Sequence, residues 1–370
     1  MKDFHGIIFA YNTAPELREL VSVRTSASLP FCGRYRLIDF SLSSLRNAGI
    51  LDVGVIMQRD YQSLLNHLSG GKPWDMSRRS GGMQILPPFG LPEYHRGNYA
   101  GTMEALNAVS SYVKDITAKY VVLMLGNMCA NIDLTAPMKQ HVASGAEITA
   151  ICAKGNPDGS RLAYAVDVEG YVTEMLMDTE AEEGELASLE AYIINKETLL
   201  KMMSFALKRN LYRFHNDSMR LWLNNGGKMA TYVHEGYTSI IRTVEQYNKA
   251  SADMLNKDKR RQLFNKDLPV YTKTKEEVST YYSVEAVSRN SLVADNCIIE
   301  GTVENCTIFS GCRIGKGAVL KNCVVMRNCI IGEGCELEHV IVDKDCVFSE
   351  GCKLTGNVKL PVVVPKASKL

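Results

Sequence analysis

Cys306-Thr307-Ile308-Phe309-Ser310-Gly311-Cys312-Arg313-Ile314-Gly315-Lys316-Gly317-Ala318-Val319-Leu320 begins a run that repeats itself. Cys323 follows Cys306 by seventeen residues, and Cys312, Cys329 and Cys346 keep the same interval. Ala318, Cys335 and Cys352 form a third column at that spacing, and neighbouring columns stand six residues apart. Ile308, Ile314, Leu320, Ile331 and Leu337 keep step, with glycine corners at Gly315, Gly317, Gly332 and Gly334. A six-residue step that stacks every seventeen or so is the pattern of a hexapeptide parallel β-helix, in which three short strands make one triangular coil. The pattern predicts a left-handed parallel β-helix over 285–370. Of eleven cysteines, eight lie between Cys297 and Cys352, with no CxxC pair among them, so they read as compact core fillers rather than metal or redox groups.

Upstream, the period changes. Gly6-Ile7-Ile8-Phe9-Ala10, Val53-Gly54-Val55-Ile56-Met57, Tyr120-Val121-Val122-Leu123-Met124-Leu125 and Glu147-Ile148-Thr149-Ala150-Ile151 are short apolar runs suited to buried parallel strands. Helix-length segments at 41–48, 61–68 and 102–113 separate them. Alternation of this kind predicts an α/β, Rossmann-like domain over 1–255 with a mainly parallel sheet. Ligands in such sheets lie beyond the carboxyl ends of the strands, which directs attention to the loops after Ala10 and Leu125. A helix over 243–255, with Val244, Tyr247 and Met254 on its core side, closes the domain, and 256–284 reads as a charged linker.

The chain has 370 residues and a net charge of +1, so it fits two domains and offers no basic field for nucleic acid. No stretch has the length of a membrane span, and Met1-Lys2-Asp3-Phe4-His5 is unlike a signal peptide, so a cytoplasmic chain is expected.

Leu29-Pro30-Phe31-Cys32-Gly33-Arg34-Tyr35-Arg36-Leu37-Ile38-Asp39-Phe40, Gln84-Ile85-Leu86-Pro87-Pro88, Gly101-Thr102-Met103-Glu104-Ala105-Leu106 and Leu186-Ala187-Ser188 with Tyr192-Ile193-Ile194-Asn195 occur in that order. They resemble, nearly end to end, the motifs of the ADP-glucose pyrophosphorylase (glucose-1-phosphate adenylyltransferase) family. That family joins ATP to glucose 1-phosphate with Mg²⁺, so the resemblance implies a nucleotidyltransferase domain followed by the β-helix. Gly101, Thr102, Gly126 and Ser188 become candidates for a remnant nucleotide and sugar pocket.

The chain departs from that pattern where chemistry is expected. The family's AGGRGTRL loop aligns with Ala10-Tyr11-Asn12-Thr13-Ala14-Pro15-Glu16-Leu17. All three glycines are lost, a proline removes an N–H, and Glu16 replaces a cation. Arg24 of RAKPAV is kept, but Ser26 stands at the lysine position. The two metal-aspartate positions hold Asn127 and Ile240, and the sugar-phosphate lysine aligns near Asp178. Glu190 replaces a glycine beside the sugar. No catalytic residue, metal ligand or cofactor is therefore expected on this chain, with Mg²⁺ belonging to a catalytic partner.

The departures resemble the family's GlgD-type subunits. They imply a regulatory, non-catalytic chain in a mixed tetramer with a catalytic subunit. Arg24, Arg34 and Arg36 are candidates for binding a phosphorylated-metabolite effector, or else plain surface cations. Plainer readings exist elsewhere too: Gly101-Thr102 as a helix start, and Asn127 as a loop cap. The alternative function is a weakly active adenylyltransferase. An acyltransferase would need a histidine in the coils, where only His339 stands. His67, His95 and His234 lack metal-like spacing partners and are assigned no chemistry.

Overall fold

The computed structural model describes residues 3–11, 14–87 and 99–370. Asn12 and Thr13 of the altered loop, Pro88 and His95 lie outside the described residues. The first strand, Phe4–Phe9, is central to a nine-stranded sheet. It pairs in parallel with Val53–Ile56 on one side and Tyr120–Leu125 on the other, and Met83–Leu86 extends the edge. Successive residues point to opposite faces. Ile7, Phe9, Val121 and Leu123 therefore enter one core cluster, and Ile8, Val122 and Met124 enter the other. Both faces are covered, which is why these strands read as unbroken apolar runs.

The sheet is more mixed than the runs suggest. Leu186–Asn195 enters antiparallel between Tyr120–Leu125 and Ile148–Lys154, and Leu162–Val166 with Val172–Met177 adds an antiparallel edge. The segment expected as one helix over 102–113 is two, Thr102–Ala108 and Ser110–Asp115, broken at Val109 (φ −107°, ψ 26°). The closing helix is Val244–Asp253, and Thr243 and Gln246 form a capping box that fixes its start.

Three five-stranded parallel sheets follow, one per side of the triangular coil, as a left-handed parallel β-helix requires. The stretch expected as linker is partly structured: it holds the helix Lys257–Leu263, and the first β-helix strand is Tyr281–Tyr282. Arg313 pairs with Ile330, and Ile330 with Val347, at the seventeen-residue step; Ile298 to Arg313 is a shorter coil of fifteen. That shorter coil brings Cys297 into the column of Cys312.

The corners explain residues that periodicity alone leaves open. Gly317, Gly334 and Gly351 occupy one left-handed corner, and Asn305, Asn322 and His339 another (φ 52°, 53° and 52°). Asparagine tolerates this conformation better than most residues. All the cysteines but Cys32 and Cys352 are buried, and thiols within the coil find acceptors: the Sγ atoms of Cys312, Cys329 and Cys335 donate to the carbonyls of Met326, Asp343 and Ser349, each at 3.0 Å. Weak donors are thus matched to carbonyls fourteen residues on.

The two domains share a core. Leu17, Leu20, Phe31, Tyr247 and Met254 pack with Phe309, Val324, Met326 and Ile341 of the β-helix. Within this contact Arg24, 2% exposed, places Nη2 2.8 and 2.9 Å from the two carboxylate oxygens of fully buried Asp343.

Candidate functional site

The loops beyond the carboxyl ends of Phe4–Phe9 and Tyr120–Leu125 border a cleft of about 520 Å³. Gly101, Thr102, Asn127, Asp178 and Glu190 all line it, so residues far apart in sequence meet where the sheet topology directs. Tyr11, at the first altered glycine position, is 7% exposed; its ring packs edge-on to Tyr99 and its hydroxyl donates to Thr102 Oγ1 at 2.9 Å. A buried phenol thus stands where a phosphate loop needs bare backbone. Pro15–Val21 continues as a 3₁₀ segment that turns Leu17 and Leu20 into the interdomain core.

Gly101 begins the Thr102 helix, and a Cβ there would lie 2.3 Å from Tyr212 O. Gly126 donates to Phe9 O at 2.8 Å and sits beneath the cleft wall. Ser188 is buried, its Oγ 3.2 Å from both Tyr164 Oη and Tyr192 Oη, and it accepts from the Glu190 N–H at 3.0 Å. It props the cleft rather than lining it.

The two family metal positions stand on neighbouring segments, Ile240 pairing with Met128, but neither supplies a carboxylate. Asn127 Nδ2 donates to Ile241 O at 2.8 Å, and Ile241 N–H returns a bond to Asn127 O at 3.0 Å, so the amide ties the loop down. Ile240 is fully buried in the core with Met128 and Ala130. Among the described residues no group of three or more His, Cys, Asp or Glu side chains gathers at metal-binding range. A hard cation needs several oxygen ligands, and the residues present do not fit one.

Three arginines and a histidine that sequence reasoning did not single out also line the cleft: Arg161, Arg213, Arg242 and His215. No local spacing marks them, because they come from separate segments. Glu190 answers them from within. Its carboxylate forms an ion pair with Arg242, both side chains largely buried, and the arginine holds Glu190 below the usual carboxylate range against the opposing effect of burial. Glu190 adopts φ 51°, a conformation natural to the glycine it replaces. His215 is pushed down by burial, and its Nε2 is buried without a partner. Asp178 adds a further carboxylate to the lining.

The comparisons agree with this geometry. Residues 5–237 match the model of the nucleotidyl transferase family, and 277–359 match the GlmU-like C-terminal hexapeptide model. The glycogen biosynthesis protein GlgD of Geobacillus stearothermophilus is 33% identical over 339 residues, covering 85% of this chain and 82% of that protein. The chain belongs to the glucose-1-phosphate adenylyltransferase family. The enzyme of that name from Clostridium botulinum is 31% identical, covering 85% of this chain and 83% of its own length. GlgD of Bacillus subtilis is 30% identical over a similar span.

This member of the adenylyltransferase family has a second polar cleft, of about 360 Å³, between its domains. Arg34 and Arg36 line it with Lys273, Lys275, Arg327 and Lys344, six cations against the carboxylates of Glu277, Asp295 and Asp345. The three arginines singled out by sequence therefore part company. Arg24 lies behind the cleft, committed to Asp343. Arg34 is half exposed and pairs with Asp295 at 2.9 Å, a contact of little energy. Arg36 donates to Ser63 O at 2.7 Å, and burial lowers it to about 10. His67, given no role from spacing, approaches Asp39 at 2.5 Å and so supports the Arg36 turn. Lys344 makes no ion pair among the described residues. Burial first, then Arg36 and Arg24, lower it to about 7. The folded chain thus resists protonation there, and stability rises with pH from about 7 toward the ordinary lysine range.

No helix among the described residues is long and apolar enough to cross a membrane.

Proposed function

We propose that this chain is a non-catalytic, regulatory subunit of a cytoplasmic glucose-1-phosphate adenylyltransferase assembly in glycogen biosynthesis. It acts in a mixed tetramer beside a catalytic subunit. One observation carries the reading: the two metal-aspartate positions are an amide bonded to backbone and an isoleucine in the core. Phosphoryl and nucleotidyl transfer depends on positioned cations to neutralise developing charge, and this chain lacks the ligands for the metal. The names of its GlgD relatives lend further support. The chain itself then needs no cofactor, and Mg²⁺ belongs to its partner. A calorimetric titration of the isolated chain with ATP checks this. Adding Mg²⁺ is expected to change ATP affinity less than about threefold, within roughly 0.7 kcal/mol. A tightening of tenfold or more would mean that a metal site exists.

The alternative, a weak adenylyltransferase, draws on Arg161, Arg213 and Arg242, which could orient phosphates without metal. Against it stands Glu190, which already engages Arg242.

The interdomain cleft is the proposed seat of a phosphorylated-metabolite effector, with Arg34, Arg36 and Lys344 as anion partners. Sulfate, which does not titrate near neutrality, is the clean probe. Its affinity is expected to fall as pH rises through about 7, because Lys344 loses its charge. The fall should reach about tenfold if binding restores one pKa unit. In Lys344→Met the affinity should be weak and insensitive to pH. An unchanged pH profile in that variant would remove Lys344 from the site.

A further inference from the structure

A further cavity, of about 540 Å³, lies between the two domains. It is bounded by the Val244–Asp253 helix and by the asparagine corner of the β-helix, and its size is within the ordinary range for ligand pockets. Neither the adenylyltransferase cleft nor the cationic cleft shares a residue with it.

Its chemistry is unlike theirs. No Asp, Glu, Lys or Arg lines it, although charged residues make up 22% of the chain. An ion desolvated there would meet no countercharge. Asn248 from the helix faces a column of Asn290, Asn305, Asn322 and His339, with Thr307 beside it. Each amide offers both donors and an acceptor, and a neutral imidazole one of each. Asn290 Nδ2 donates to Asn305 Oδ1 at 2.7 Å, whereas Asn248, Asn322 and His339 make no side-chain hydrogen bond among the described residues. Unused donors and acceptors remain available along the column. Leu255, just past the helix, and Val324, two residues after Asn322, add apolar surface.

The column is also pre-set. Its members stand one coil apart, roughly 4.8 Å by the spacing of paired strands. The corner holds them in left-handed backbone (φ 41° to 53°), so little backbone entropy is lost on binding. Regularly spaced, neutral groups that both donate and accept, with apolar surface beside them, match a chain of vicinal hydroxyls on puckered rings. We propose that this groove binds a neutral linear oligosaccharide, its hydroxyls along the asparagine column and one ring face against Leu255 and Val324.

Maltohexaose, cellohexaose and glucose would be titrated into the full chain by calorimetry and ligand-observed NMR. The expected result is saturable hexasaccharide binding with a dissociation constant in the millimolar range or tighter, at least tenfold tighter than glucose. The double variant Asn305→Gly/Asn322→Gly removes two amides while keeping residues suited to the left-handed corner. It should bind at least tenfold more weakly, with sulfate affinity and melting temperature close to those of the unaltered chain. Absence of saturation with both hexasaccharides, glucose binding as tightly as either, or undiminished binding by the double variant would each overturn the proposal. If the double variant loses its fold, Asn248→Ala on the opposing helix should weaken the hexasaccharide by at least threefold, and an unchanged affinity would count equally against it.

Discussion

Asp343→Asn is expected to destabilise the chain by about 3–5 kcal/mol, the usual cost of stranding one member of a buried ion pair. Arg24 and Asp343 are almost wholly buried, 319 residues apart in sequence, and joined by two hydrogen bonds of 2.8 and 2.9 Å. Asp343 also accepts from the Lys344 N–H at 2.7 Å. Removing its charge leaves Arg24 facing Met326 Sδ and Leu20 O, with no second carboxylate bonded to it among the described residues. Arg36 and Lys344, each of which feels the charge of Arg24, would then repel it without compensation. Replacing both partners by apolar residues, Arg24→Met with Asp343→Leu, should cost less than the single change, because no charge is stranded. Urea unfolding followed by circular dichroism and by tryptophan fluorescence would measure it. Trp74 and Trp222 both lie before the β-helix, so separation of the two transitions would show the domains uncoupling. A loss below about 1 kcal/mol would mean that the pair does not hold the junction.

The second large effect concerns turnover. Removal of one charge-stabilising group at an active centre costs about 10²–10³ in rate. On the family resemblance, the metal pair, the phosphate loop and the sugar-side lysine are expected to be replaced, and in the structure Tyr11 and the Glu190–Arg242 pair occupy the cleft. ADP-glucose formation by the isolated chain is therefore expected at least about 10³-fold below that of a catalytic relative. Groups that act as a unit do not recover singly. Asn127→Asp alone should restore nothing, because Ile240 remains in the core. Glu190→Gly alone should free Arg242 without supplying a metal ligand. Radiolabelled product formation by each variant is the check, and a rise of a hundredfold from either single change would contradict the assignment.

How much of this was readable beforehand follows from distance along the chain. The β-helix was legible because its period is local: each column repeats within seventeen residues, and the cysteines mark it. The apolar strands and the helix beginning near Thr243 were legible for the same reason. The Leu186–Asn195 strand was recognised as a motif, but its antiparallel insertion between two other strands is a pairing choice that no local pattern encodes. At the site, Asn127 and Ile240 could be picked out by alignment alone. Arg161, Arg213, His215 and Arg242 could not, since only the fold gathers them. Arg24 shows the limit most clearly. It was visible as a candidate anion-binding cation, yet its buried partner Asp343 lies in the other domain, and nothing in either local sequence connects them.

ADP-glucose synthesis from ATP, glucose 1-phosphate and Mg²⁺, measured for this chain alone, for a catalytic subunit alone and for the two together, bears most directly on the regulatory assignment. The expected result is silence from this chain, and a mixture whose rate or effector response clearly exceeds that of the catalytic subunit. Clear turnover by this chain alone, or a mixture indistinguishable from the catalytic subunit, would contradict it.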